Sequence, residues 1–196
     1  AAILIKALND NHFAIRNLAL KNIDAAAKAD KENVKAKITE LVRNDKKASV
    51  RANALIALHR VYDDESLDSF ALNDSSYDVM TTALTYYSEK HPKDVDILKK
   101  YEHDKNGDVQ AALTDIYSHS GNDDNYDFMV TALQEATGYS KYLVVQNFQS
   151  YLTLCKPETI QKGSEAMVAF GKTSSKLVKT QTVSSLTLLK KDINTK

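Results

Sequence analysis

The 196 residues contain only five glycines, two prolines, one cysteine and no tryptophan. Few positions can therefore break a helix, and the loops joining helices must be short. With Cys155 alone, an intramolecular disulfide and a cysteine-based zinc cluster are both excluded. Flanked by Tyr151, Leu152 and Leu154, that thiol reads as a small buried hydrophobe. No excess charge of either sign exists, since 26 Lys and Arg balance 26 Asp and Glu. The balance argues against nucleic acid or an anionic membrane as partner, because both need surplus Lys and Arg. No apolar run approaches the ~20 residues of a membrane-spanning helix, and no secretory leader opens the chain. Ala1 lies within an amphipathic pattern, which points to a cut point rather than a natural start.

What is present is a repeat. Leu8-Asn9-Asp10 is followed by Ile15-Arg16, Ala19-Leu20 and Ile23, and Leu41 to Asp45 by Val50-Arg51, Ala54-Leu55 and Leu58. The frame recurs at Leu72-Asn73-Asp74 with Val79-Met80, Ala83-Leu84 and Tyr87, and at Asp104 with Val109-Gln110, Leu113 and Ile116. Weaker copies centre on Val144 and Lys179. The arginine register thus falls at 16, 51, 80, 110, 144 and 179, in steps of 35, 29, 30, 34 and 35, so loop length varies while the unit persists.

Apolar residues recur at helical spacing after each Asp, as in Ile15, Leu18, Ala19 and Ile23. A second stripe precedes each Asp: Ile3, Ile5 and Leu8, then Val34, Ile38, Leu41 and Val42. Sustained β alternation is absent, and Asn, Asp and Gly mark the turns. Pro92 and Pro157 each precede acidic, helix-forming stretches, as in a first helical turn. The expected fold is an all-α, HEAT-like α-solenoid (an α-α superhelix) of about six antiparallel helix pairs. Because one pair cannot bury its stripe alone, residues 1–196 are expected to form a single repeat domain. Tyr62, Tyr86, Tyr87, Tyr117 and Tyr151 recur near second-helix ends and read as packing between layers.

The turn acids can cap the second helix and favour its dipole. An arginine six residues on can reach such an acid in its own or a neighbouring repeat. Asp10, Arg16, Asp45 and Arg51 resemble the Asp–Arg ladder of HEAT repeats, with Asp74 and Asp104 as further acids. Met80, Gln110 and Val144 interrupt it.

Complete catalytic constellations are not found. His12, His59, His91, His103 and His119 never stand four apart, as a His-Glu-x-x-His zinc site requires, and read as surface or helix-end residues. Gly171-Lys172-Thr173 lacks the earlier glycine and preceding strand of a phosphate loop. Asp123, Asn125 and Asp127 alternate like calcium ligands, but Phe128 and Gln134 stand where Gly and Glu are needed. No Gly-x-Ser-x-Gly elbow occurs. No catalytic, metal or cofactor residue is assigned, and a glycosylase-like HEAT enzyme is disfavoured by the neutral charge and missing tryptophan.

The stretch from Ala7 to Leu20 matches HEAT repeats, and the chain as a whole resembles the C-terminal helical domain of bacterial zinc aminopeptidases of the alanyl aminopeptidase family, especially those from Bacteroidetes. The resemblance rests on the Asn-Asp turn with Ile15-Arg16, the irregular later repeats and the Ala/Lys/Asn/Asp-rich style. It implies a non-catalytic C-terminal portion that shapes or closes the chamber of an upstream catalytic domain, where the zinc would lie. It also implies a periplasmic or cell-envelope location, against a cytoplasmic one otherwise. The alternative is a stand-alone HEAT-like scaffold for a protein or peptide partner.

Overall fold

A computed structural model describes residues 1–92, 94–138 and 140–194. The elements are α1 (Ala2–Ala7), α2 (Phe13–Lys21), α3 (Asp24–Ala29), α4 (Lys31–Asn44), α5 (Ala48–Tyr62), α6 (Asp68–Ala71), α7 (Tyr77–Lys90), α8 (Val95–Lys99), α9 (Gly107–Ser118), α10 (Tyr126–Glu135), α11 (Ser140–Leu154), α12 (Pro157–Thr173) and α13 (Lys176–Asn194). One 3-10 turn, Asp123–Asn125, completes them, and no strand occurs among the described residues. The chain has an all-α helical-repeat fold. Helix order gives six successive pairs, α1–α2, α4–α5, α6–α7, α8–α9, α10–α11 and α12–α13, with α3 inserted after the first.

Two compact units divide the chain, Ala1–His91 and Pro92–Lys196. In the first, the second helices stack in order: α2 packs on α5 and α5 on α7, while α4 covers α5 from the other layer. Its core holds Leu20, Ile23, Ile38, Val42, Leu55, Leu58 and Leu84, all essentially unexposed. In the second, α9 packs on α11 and α11 on α13, with α12 against both α11 and α13. Leu113, Tyr117, Phe148, Tyr151 and Leu152 fill that core. Stacking is what removes each stripe from water, at about 25 cal/mol per Å² of apolar surface buried.

Several local expectations change. α1 buries none of its residues, and Ile3 is 80% exposed. The first helices of the third and fourth pairs shrink to the four residues of α6 and the five of α8. The shorter repeat steps there remove chain from the first helix, because the second must keep its full apolar stripe. Pro157 opens α12 at its first turn, but Pro92 lies in a turn ahead of α8. Gly171 to Thr173 are the last turn of α12, so they form no phosphate loop. Cys155 is half-buried rather than fully packed, with Sγ donating to the Tyr151 carbonyl at 3.3 Å. Tyr117 and Tyr151 are buried, while Tyr62, Tyr86 and Tyr87 are half-buried.

Gly163 marks the tightest crossing. A Cβ there would overlap the side chain of Leu152, which is itself fully buried in α11. Gly163→Ala gains up to ~1 kcal/mol of helix propensity but meets an overpacking cost of roughly 1–3 kcal/mol. The expected outcome is net destabilisation of about 1 kcal/mol, read as a lowered denaturation midpoint. A raised midpoint would show that Leu152 can move aside.

Candidate functional site

The ladder residues come together at the turns. Asp10, Asp45, Asp74 and Asp104 each accept, through Oδ1, the backbone N–H two residues on, at 2.8, 2.9, 2.8 and 2.8 Å. These are Asx turns, and they place His12, Lys47, Ser76 and Asn106 at the N-cap positions. The acids therefore lie two residues before the cap and do not cap the helix themselves, because the turn needs their side chains first.

Each arginine pairs with the acid of the next repeat. Arg16 donates through Nε and Nη2 to Asp45 at 2.7 and 2.8 Å, and through Nη1 to the Asp10 carbonyl at 2.8 Å. Arg51 repeats this on Asp74, at 2.7 Å for both bonds, and reaches back to the Asp45 carbonyl at 2.9 Å. One guanidinium thus ties its own turn to its neighbour's. The bidentate geometry suits only arginine. All four side chains are largely shielded from water, with Asp45 and Asp74 at 5% and 8% exposure. The bond from Arg51 holds the Asp74 carboxyl below its ordinary value, and the bond to Asp45 raises Arg16.

Gln110 retains half of this function. Its Nε2 donates to the Asp104 carbonyl at 2.6 Å and the Glu102 carbonyl at 3.1 Å, the position that Nη1 fills in Arg16 and Arg51. The side chain is too short to reach a following repeat. Beside it opens a cleft of about 760 Å³, lined by Glu102, Asp104, Lys105, Gln110, Phe128 and Glu135, among others. Its acids outnumber its bases. The floor is firm: Tyr117 donates to Glu102 Oε1 at 2.7 Å, and Phe128 meets Tyr117 edge-on at 5.3 Å between centroids. Burial, then the Glu102 bond, pushes the Tyr117 phenol far up, so it stays a donor. The arrangement suits hydrogen-bonding or cationic groups of a ligand.

His59 departs from the surface reading of the histidines. It lies on the buried face of α5, one turn after Leu55, with Nε2 at 2.6 Å from Asp68 Oδ1. Its ring stacks on Tyr86 at 4.0 Å. His59 Nδ1 and Asp68 Oδ2 have no hydrogen-bond partner. The i+4 spacing from Leu55 was the one sequence signal for this pair; nothing local pointed to Asp68. Burial raises the Asp68 carboxyl, against the opposing bond from His59. Asp123–Asn125 form the 3-10 turn, and Asp123 accepts the Lys156 N–H at 3.3 Å. Among the described residues no three His, Cys, Asp or Glu side chains gather as a metal site, and no described helix is long and apolar enough to cross a membrane.

The sequence matches no family model and no curated protein. Among solved structures it is similar to a designed armadillo repeat protein, YIII(Dq)4CqI, at 16% identity and a TM-score of 0.54, over 95% of this chain and 98% of that one. At that identity the likeness is one of fold.

Arg51→Ala leaves the shielded Asp74 without its partner, so a loss of about 2 kcal/mol is expected, between exposed and buried pairs. Arg51→Lys should recover only part of it. Because the Asp74 carboxyl is lowered in the fold, its contribution is complete above the unfolded value of roughly 4 and is lost as pH falls through the folded one. Urea midpoints measured across the acid range should therefore fall less steeply in Arg51→Ala than in the parent. Asp68 has the opposite sign: with its carboxyl raised, the fold loses stability as pH climbs from roughly 4 through the folded value. Asp68→Asn should flatten that limb, and an unchanged pH profile would show that Asp68 does not titrate there.

Proposed function

We propose that this chain is a non-catalytic scaffold that binds a protein or peptide segment in the cleft beside Gln110 and needs no cofactor. The observation behind this reading is that a helical-repeat stack, a fold suited to extended binding surfaces, carries an open cleft where the arginine register holds glutamine. Glu102, Asp104 and Glu135 against Lys105 favour a segment bearing Lys or Arg. Phe128 offers an apolar wall for its stem.

A photo-reactive phenylalanine analogue at Thr131, on the cleft rim, should crosslink one partner in cells from the source organism, while the same group at Lys37 should not. Glu135→Lys is expected to weaken capture about tenfold. Equal labelling from both positions, or capture indifferent to Glu135, would end this reading.

The resemblance along the chain supports a finer reading, in which the partner is the catalytic domain of a zinc aminopeptidase and this domain shapes or closes its chamber. Its test is the coding sequence ahead of Ala1. An in-frame His-Glu-x-x-His domain supports it, and a stop codon or an unrelated domain there removes it.

A further inference from the structure

The repeat offers an internal standard for which positions stacking should cover. In the first unit, the residue before the arginine register is Ile15 in α2, Val50 in α5 and Val79 in α7. Val50 and Val79, each following another second helix, are 0% exposed, whereas Ile15 is 41% exposed, as is Leu143 at this position in α11. Leu18, on the same helix, is 59% exposed. Four residues after the arginine register stand Leu20, Leu55 and Leu84, then Thr114 and Phe148 in the second unit, then Val183 in α13. The first five are 0% exposed, and Val183 is 59% exposed. The α13 face thus has the register of a covered surface without the cover, and α2 presents Ile15 and Leu18 to solvent.

Their polar chemistry is complementary. Asp10 forms the same Asx turn as Asp45 and Asp74, but no guanidinium or ammonium among the described residues reaches its carboxylate. Lys179 occupies the arginine register of α13 and makes no ion pair among the described residues. An acid awaiting a cation lies on one face, and a cation in the donor register lies on the other.

We infer that a second copy of this chain covers these faces: α13 of one molecule stacks on α2 of the next, with Lys179 paired to Asp10 and Val183 seated against Ile15 and Leu18. The contact continues the register by which α2 meets α5. It is heterologous, so copies add head to tail into a ring or an open row. A lysine in place of arginine makes a single-point ion pair in place of a fork, so the joint is weaker than the internal rungs and depends on concentration and salt.

Sedimentation velocity of the full chain over a wide concentration range should show mass growing beyond the monomer, less so in high salt. Asp10→Lys and Lys179→Asp are each expected to weaken association about tenfold or more, and the double reversal in one chain to restore most of it. Val183→Asp, at an already exposed position, should abolish association with an unchanged melting midpoint. A chain that stays monomeric throughout overturns the inference, and the faces would then belong to further repeats of a longer polypeptide or to another protein. Association unmoved by all three single changes, or not regained in the double reversal, overturns it equally.

Discussion

The apolar stripe of each second helix has two sides to cover, and its own first helix covers only one. Everything else in the fold follows from that constraint. α5 is buried by α4 from one layer and by α2 and α7 within its own, and α11 likewise by α10 and by α9 and α13. First helices can dwindle, as α6 and α8 do, without breaking the stack. The second helices stay longer: α2 has nine residues and the others twelve or more.

Apolar stacking is non-directional, so it leaves the register between neighbours loosely set. Arg16 and Arg51 set it. Each guanidinium is held by a carbonyl of its own turn and by both oxygens of the next acid. A slip by one residue would strand a shielded carboxylate, which costs more than the rung itself contributes. In the second unit the rung is cut to its carbonyl half at Gln110, and space opens where a longer side chain would lie.

The buried His59–Asp68 pair shows the cost of polar groups away from the turns. Two titratable side chains share one short bond under Tyr86, each with a second polar atom unmatched. Such a pair fixes how α5, α6 and α7 meet more than it adds stability.

Sequence alone determined the helical class and the recurring Asp turn, and it named Arg16, Asp45, Arg51 and Asp74 among the ladder candidates, because these depend on periodicity and on offsets of a few residues. Val50 to Leu58 must form one face of a helix, and the Asn-Asp step before it must turn the chain, although the structure moved that acid from the cap to two residues ahead of it. Tertiary structure decided the rest. It chose the following repeat as partner for Arg16 and Arg51, although the sequence allowed their own repeat or a neighbouring one. It buried His59 against an acid nine residues away, and it opened the cleft at Gln110. It also left Ile15 and Val183 wet while Val50 and Leu55, their register mates, are dry. The reason is common to all four: burial and pairing depend on what stands opposite a side chain, and that neighbour lies nine residues along the chain for His59 and 23 to 29 for the rungs, beyond any local pattern.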